Sequence, residues 1–173
     1  MKLKGTMSYL IRHLVNVILF FLPPTRLFGF RRLCLRASGI AVGRNVSICG
    51  GGWIYGRGRV IIGEGSWLSP GVKIYTHVDV EIKISKNCDI GPGVSFITGS
   101  HQIGPRRRRA GLGVASSIYV EEGCWIGANS SILGGVTIGS GSIVAAGAVV
   151  NKSYPNNVLI AGVPAKFKRV LNS

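Results

Sequence analysis

The sequence predicts an all-β chain wound as a three-sided parallel β-helix, with a short helical segment before it and a short tail behind it. Three observations carry that prediction. Apolar residues recur at every sixth position: Val120, Ile126, Ile132, Ile138, Val144 and Val150 late in the chain, and Ile62, Leu68, Ile74 and Val80 earlier. Glycine is frequent, at 26 of 173 residues, yet it falls between those apolar positions and not in a low-complexity run. The side chain two places ahead of each later apolar residue is modest in size, as at Ser130, Val136, Ser142 and Ala148. A helix repeats near 3.6 residues and a strand near 2, so a beat of six fits neither alone. A short strand that points one residue inward and then turns through Gly or Asn does give six. Stacked turns of three such strands bury the inward column as a continuous core.

Residues 1–39 form the leading segment. Tyr9 to Leu22 reads YLIRHLVNVILFFL and stops at Pro23 and Pro24. As a helix this run is about 21 Å long against about 30 Å of bilayer hydrocarbon, and Arg12 and Asn16 interrupt it. It is too short to span a membrane, and the following PPTRLFGF offers no small-residue cleavage site for a signal peptide. Two roles stay open. The segment caps the β-helix, or residues 1–36 lie in a membrane interface with Arg26, Arg31, Arg32 and Arg36 near anionic headgroups.

The β-helix is expected over residues 40–153. Val42, Ile48 and Ile54 open the beat, and its phase slips before Ile84, Ile90 and Phe96. The longest break is residues 97–117, ITGSHQIGPRRRRAGLGVASS. An insertion of that length in a solenoid marks a functional loop. Residues 154–173 are the tail.

The formal net charge is +15, from 21 Lys and Arg against 6 Asp and Glu, and no acid precedes Glu64. Such a balance points to an anionic partner: nucleic acid, a membrane surface or a phosphorylated small molecule. Arg106 to Arg109 are flanked by Gly and Pro and lack the interleaved aromatics of an RNA-binding surface, so no nucleic-acid partner is expected. Cys34, Cys49, Cys88 and Cys124 form no CxxC pair, which suits a reduced, intracellular chain. Cys88 and Cys124 fall in slots of the beat where small apolar residues stand elsewhere, as fillers of the core. His13, His77 and His101 are spaced unsuitably for a zinc site, and no metal is expected.

The break holding His101, the CWIG at residues 124–127 and the terminal AAGAVVNKSYPNNVLIAGVPAKFKRVL together resemble the hexapeptide-repeat, or left-handed β-helix, acetyltransferases. The resemblance runs over residues 40–153 and into the tail, and is strongest to the colanic-acid and capsule polysaccharide O-acetyltransferases. It implies a left-handed winding, a homotrimer with active sites between subunits, and acetyl-CoA as cosubstrate. The implied reaction acetylates a sugar hydroxyl of a bacterial surface polysaccharide or its lipid-linked precursor on the cytoplasmic side, either free in the cytoplasm or peripheral on the inner face of the membrane. His101 takes the place of the catalytic base in the family, and Trp125 that of the residue beside the acceptor or acetyl group. Ala128 and Ala146 match the small residues along the coenzyme groove, and Lys152, Lys166 and Arg169 the cations that meet its phosphates.

The chemistry asks for such residues. Moving an acetyl group from a thioester to a hydroxyl needs a base for the hydroxyl proton, and imidazole, with pKa about 6.5, serves near neutral pH. Backbone N–H groups of a Gly-rich turn supply donors for the tetrahedral oxyanion. Arg106 and Arg107, next to His101, suit an anionic acceptor. Maltose- and galactoside-type relatives place an acceptor-binding Asn where this chain has LSPGVKIY, so the acceptor is expected to be held differently. Asp89, Glu121, Glu122 or a backbone carbonyl remain open as the group that orients His101. Serine or another small amine or alcohol is the alternative acceptor, and a non-catalytic scaffold is the more distant one.

Overall fold

A computed structural model describes residues 2–172, with side chains from residue 10 onward. Helix α1 (Lys2–Phe20) and helix α2 (Phe28–Ala37) precede the strands. The strands then cycle through three sides of a prism. The first coil is β1 (Ala41–Val42), β2 (Ser47–Ile48) and β3 (Trp53–Tyr55). The second is β4 (Arg59–Ile62), β5 (Trp67–Leu68) and β6 (Lys73–Tyr75), and the third β7 (Glu81–Ile84), β8 (Asp89–Ile90) and β9 (Ser95–Ile97). A hairpin of β10 (Gly99–Ile103) and β11 (Ala110–Ala115) then leaves the prism. The fourth coil is β12 (Ile118–Val120), β13 (Trp125–Ile126) and β14 (Ser131–Leu133), and the fifth β15 (Thr137–Ile138), β16 (Ile143–Val144) and β17 (Val149–Val150). β18 (Val158–Ala161) continues the second side, and β19 (Lys166–Val170) folds back antiparallel on it.

Each side is a ladder of parallel strands taken from successive coils: β1, β4, β7, β12 and β15 on the first, β2, β5, β8, β13, β16 and β18 on the second, and β3, β6, β9, β14 and β17 on the third. The recurring apolar residue points inward on every side. Ile62, Ile84, Val120 and Ile138 stack on the first, Leu68, Ile90, Ile126, Val144 and Ile160 on the second, and Ile74, Phe96, Ile132 and Val150 on the third, all buried. The glycine behind many of them follows from the close approach of the next coil. A Cβ on Gly127 would stand 2.5 Å from the Ala146 nitrogen, so any side chain there pries two coils apart.

Two corners are uniform and one is not. From first side to second and from second to third, the step is six residues in every coil, as at Val120, Ile126 and Ile132. From third side back to first, the inward residues are eight apart (Ile54 to Ile62), ten (Ile74 to Ile84), 24 (Phe96 to Val120) and six (Ile132 to Ile138). Every insertion is accommodated at that third corner. This corrects one expectation: Val80 is not an inward member of the beat. The loop of residues 76–80 bulges at the third corner through Asp79 at φ 68°, leaving Val80 half-buried while Ile82 and Ile84 fill the interior.

The cap role of the leading segment is realised. One face of α1 closes the open end of the first coil with Arg12, Val15, Asn16 and Leu19 buried. The side-chain amide of Asn16 donates to the Ile54 carbonyl at 2.8 Å and accepts from the Ile54 N–H at 3.1 Å, replacing the strand that β3 lacks. Arg12 donates to the carbonyls of Gly56 (2.8 Å) and Gly58 (3.2 Å). Arg31 was expected near lipid headgroups, but it is 1% exposed. Its guanidinium donates to the carbonyls of Leu19, Leu22, Pro23 and Arg26, around the C-terminal end of α1 where the helix dipole is negative. Burial pulls its pKa below the ordinary arginine value, and these carbonyls stabilise the charge. Among the described residues, no helix is long and apolar enough to cross a membrane.

Replacing Asn16 with Leu strips partners from two buried backbone groups of β3. A loss of about 2–6 kcal/mol in a urea unfolding titration is the expected result, since each of the two unpaired buried groups costs about 1–3 kcal/mol. A change within experimental error would show that the amide pair contributes nothing to holding the cap.

Candidate active site

The hairpin grows from the third corner, between β9 on the third side and β12 on the first. Its base is tied down: the Thr98 hydroxyl donates to the Tyr75 carbonyl at 3.1 Å and the Ser116 N–H donates to the Thr98 carbonyl at 3.0 Å. Gly99 pairs with Ala115, Ser100 with Val114 and His101 with Gly113, after which the register shifts. His101 is exposed, and its cross-strand neighbour has no side chain. A Cβ built on Gly113 meets nothing within 4 Å, so the imidazole has open space beside it. The alternation AGLGVA in β11, with Gly111 and Gly113 on one face, is the sequence signal for this opening.

An open groove along the hairpin is lined by His101, Arg107, Arg108, Gly111, Leu112 and Gly113. The turn beyond it carries Arg106, also exposed. Sequence reasoning chose Arg106 and Arg107; the groove takes Arg107 and Arg108. None of the hairpin arginines joins the ion pairs found among the described residues, which are Arg44–Glu64, Arg59–Glu81 and Lys86–Glu122. Their charge faces outward without an internal acid.

The other named residues lie elsewhere on the prism. Trp125 is 56% exposed on the outer face of the second side, in register with Asp89 below and Ile143 above. Trp67 stands below Asp89, so two exposed tryptophans flank that carboxylate. In a three-sided prism the third corner is the vertex opposite the second side, so one chain does not bring His101 to Trp125. The three acids considered as partners of His101 are also remote from its corner. Glu122 pairs with Lys86 at 3.3 Å and Glu121 accepts from Ser85 at 3.5 Å, both at the first corner, while Asp89 is on the second side. Asp79 and His77, in the loop of residues 76–80, occupy the third corner one coil below the hairpin.

Ala128 and Ala146 stack at the second corner, where the Gly147 N–H donates to the Ala128 carbonyl at 2.8 Å. Lys166 pairs with Ala161 at that same end of the second side, and Arg169 is opposite Leu159 further along it. Lys152 is at the third corner instead, its ammonium 5.6 Å from the centre of the Tyr154 ring. Thus Ala128, Ala146 and Lys166 gather at one edge, with His101 and Lys152 at another.

Cys88 and Cys124 are core fillers, buried in adjacent coils. The neighbouring Cys88 thiol and burial push the Cys124 thiol above the ordinary thiol range, which disfavours the nucleophilic thiolate. His13 lies on α1 against Trp53, with ring centroids 5.7 Å apart, remote from the hairpin. Among the described residues no three of His, Cys, Asp or Glu cluster as metal ligands.

Known proteins share this fold. A model of the bacterial transferase hexapeptide (six repeats) matches residues 117–152. The galactoside O-acetyltransferase of Lactococcus lactis is 36% identical over 94 residues, covering 54% of this chain and 45% of that protein. The chain therefore spans less than half the length of that relative. The putative colanic acid biosynthesis acetyltransferase WcaF of Escherichia coli is 32% identical over 151 residues, covering 87% of this chain and 80% of that protein. The crystal structure of a hexapeptide-repeat acetyltransferase from Vibrio cholerae, complexed with acetyl coenzyme A, superposes with a TM-score of 0.80 at 26% identity, covering 97% of this chain and 89% of the other. The coil-by-coil topology and an alignment over most of both sequences lead to one assignment: the chain belongs to the hexapeptide-repeat acetyltransferase family.

Proposed function

We propose that this chain is an acetyl-CoA-dependent O-acetyltransferase, wound left-handed and active as a homotrimer. Its proposed acceptor is a sugar hydroxyl of a bacterial surface polysaccharide or of its lipid-linked precursor. The observation that carries this reading is the placement of His101, exposed opposite Gly113 on the longest insertion of a fold whose acetyl-coenzyme-A-bound relative superposes over 97% of the chain. A ring nitrogen of His101 takes the acceptor hydroxyl proton as the new C–O bond forms. Gly-rich backbone near the hairpin offers N–H donors to the oxyanion. When the C–S bond breaks, the imidazolium returns its proton to the departing thiolate. Arg107 and Arg108 beside His101 favour an acceptor that carries negative charge.

The two separated edges support a site built across a subunit boundary. The third corner of one subunit supplies His101 and Lys152. The second corner and second side of its neighbour supply Trp125, Ala128, Ala146, Lys166 and Arg169. The small side chains of Ala128 and Ala146 let the coenzyme arm approach the backbone, and the cations meet its phosphates.

His101→Ala is expected to lower kcat by about 10²–10⁴-fold with the thermal melt unchanged, as removal of a general base does. Near-parental turnover would remove His101 from the mechanism.

The double substitution Lys166→Ala, Arg169→Ala should raise KM for acetyl-CoA more than KM for the acceptor, measured with each varied in turn. Equal KM values in variant and parent would leave these residues as solvated charges.

Complementation tests the shared site. Chains carrying His101→Ala and chains carrying Ala146→Trp, each inactive alone, are refolded together in equal amounts. Random mixing in a cyclic trimer makes about one quarter of the boundaries intact and restores that share of activity. If both groups served a site within one chain, no activity would return.

A further inference from the structure

We propose that the outward face of α1 seats this chain on an anionic lipid surface. The helix is amphipathic in the unusual sense. Its inner stripe directs Arg12 and Asn16 at backbone groups of the first coil, and its outer stripe is apolar. Ile11, Leu14 and Ile18 follow the spacing i, i+3, i+7 of one helical face and are exposed, and Phe21, in the turn directly after the helix, is 80% exposed. Leu10 and Phe20 flank them, and Phe30 and Leu33 of α2 are exposed as well. A helix that needed only to cap the prism would present polar residues outward. Here Arg12 and Asn16 of its central turns are buried, and the exposed His13 lies to one side against Trp53.

Charge identifies the occupant. Residues 1–39 contain no acid, and with Arg12 and Arg31 turned inward their remaining cations are Lys2, Lys4, Arg26, Arg32 and Arg36. Arg32 donates to the Val46 carbonyl and Arg36 to those of Val42 and Gly43, so their cations are fixed against the capped end and not free to fold away. An apolar stripe on a purely cationic segment is complementary to a surface that is apolar inside and anionic outside. A second copy of the same face would set cation against cation, which disfavours end-to-end pairing. The closed cyclic symmetry of the proposed trimer would place three such stripes on one end. The docking itself does not depend on the acetyl-transfer reading.

The test is flotation of the full chain with vesicles of phosphatidylcholine alone or with phosphatidylglycerol added. The full chain should float with the anionic vesicles, and raising the salt should weaken that association. The triple variant Leu14→Gln, Ile18→Gln, Phe21→Gln, altered only at exposed positions, should bind about tenfold less, with circular dichroism and thermal melt unchanged. Phe21→Ala alone should show a smaller loss in the same direction and guards against misfolding of the triple variant. Three results would overturn the proposal. The full chain could stay soluble with anionic vesicles at low salt, or the folded triple variant could float as well as the parent. Alternatively, the substitutions could change only the oligomer size seen by light scattering, which would make the stripe a contact between copies. Acetyl transfer to a soluble acceptor, assayed in parallel, reports separately on the catalytic reading.

Discussion

Everything in this molecule is subordinate to the spacing between one coil and the next. Neighbouring parallel strands lie about 4.8 Å apart, and here that separation holds at three sides at once. Where glycine follows an inward side chain and begins the turn, a Cβ would run into the next coil. Gly91 would place a Cβ 2.7 Å from the Ala128 nitrogen, and Gly127 one 2.5 Å from the Ala146 nitrogen. Coils that keep this approach let Ile126, Val144 and Ile160 stack directly in register. The continuous core, the flat outer faces and the placement of residues on those faces all follow.

The same constraint explains why the insertions collect at one corner. The first and second corners turn in the least number of residues, through positive-φ positions such as Asn129 and Gly147, and have no slack. The third corner accepts two, four or 18 residues beyond the minimum of six without disturbing the inward column, since Phe96 and Val120 still stack where they must. A loop there changes neither the register nor the core. The loops at this corner differ in length from coil to coil on a scaffold that stays fixed, a division of labour general to loops on rigid frames.

The coils were legible in the sequence because a single period generates them. Ile126, Ile132 and Ile138 announce their own neighbours. What escaped detection was whatever depends on the direction in which a residue faces once the prism is wound. Val80 keeps the six-residue count yet sits outside, because a bulge through Asp79 reset the phase. Arg12 and Asn16 look like flaws in an apolar helix, and they are the residues that join it to β3 and the following turn. Arg31 looks like a surface charge and is enclosed by carbonyls, a fate that composition does not reveal. His101 was legible as a histidine in a long break, whereas its open flank at Gly113 required the hairpin register. The separation of His101 from Trp125 was hidden for a related reason. Twenty-four residues of sequence do not disclose that the two lie at a vertex and on the side opposite to it.

A parallel β-helix has an inherent hazard, because each exposed end is a ready template for another chain to extend. This one closes its two ends by different means. At the start, the Asn16 amide occupies the N–H and carbonyl of Ile54 that an incoming strand would use. At the finish, β19 runs opposite to every strand beneath it and sets Lys166, Lys168 and Arg169 along the outermost edge. A further parallel coil therefore finds the Ile54 groups of the third side taken at one end and an antiparallel strand across the second side at the other. Both features work against end-to-end growth of the stack into a fibre.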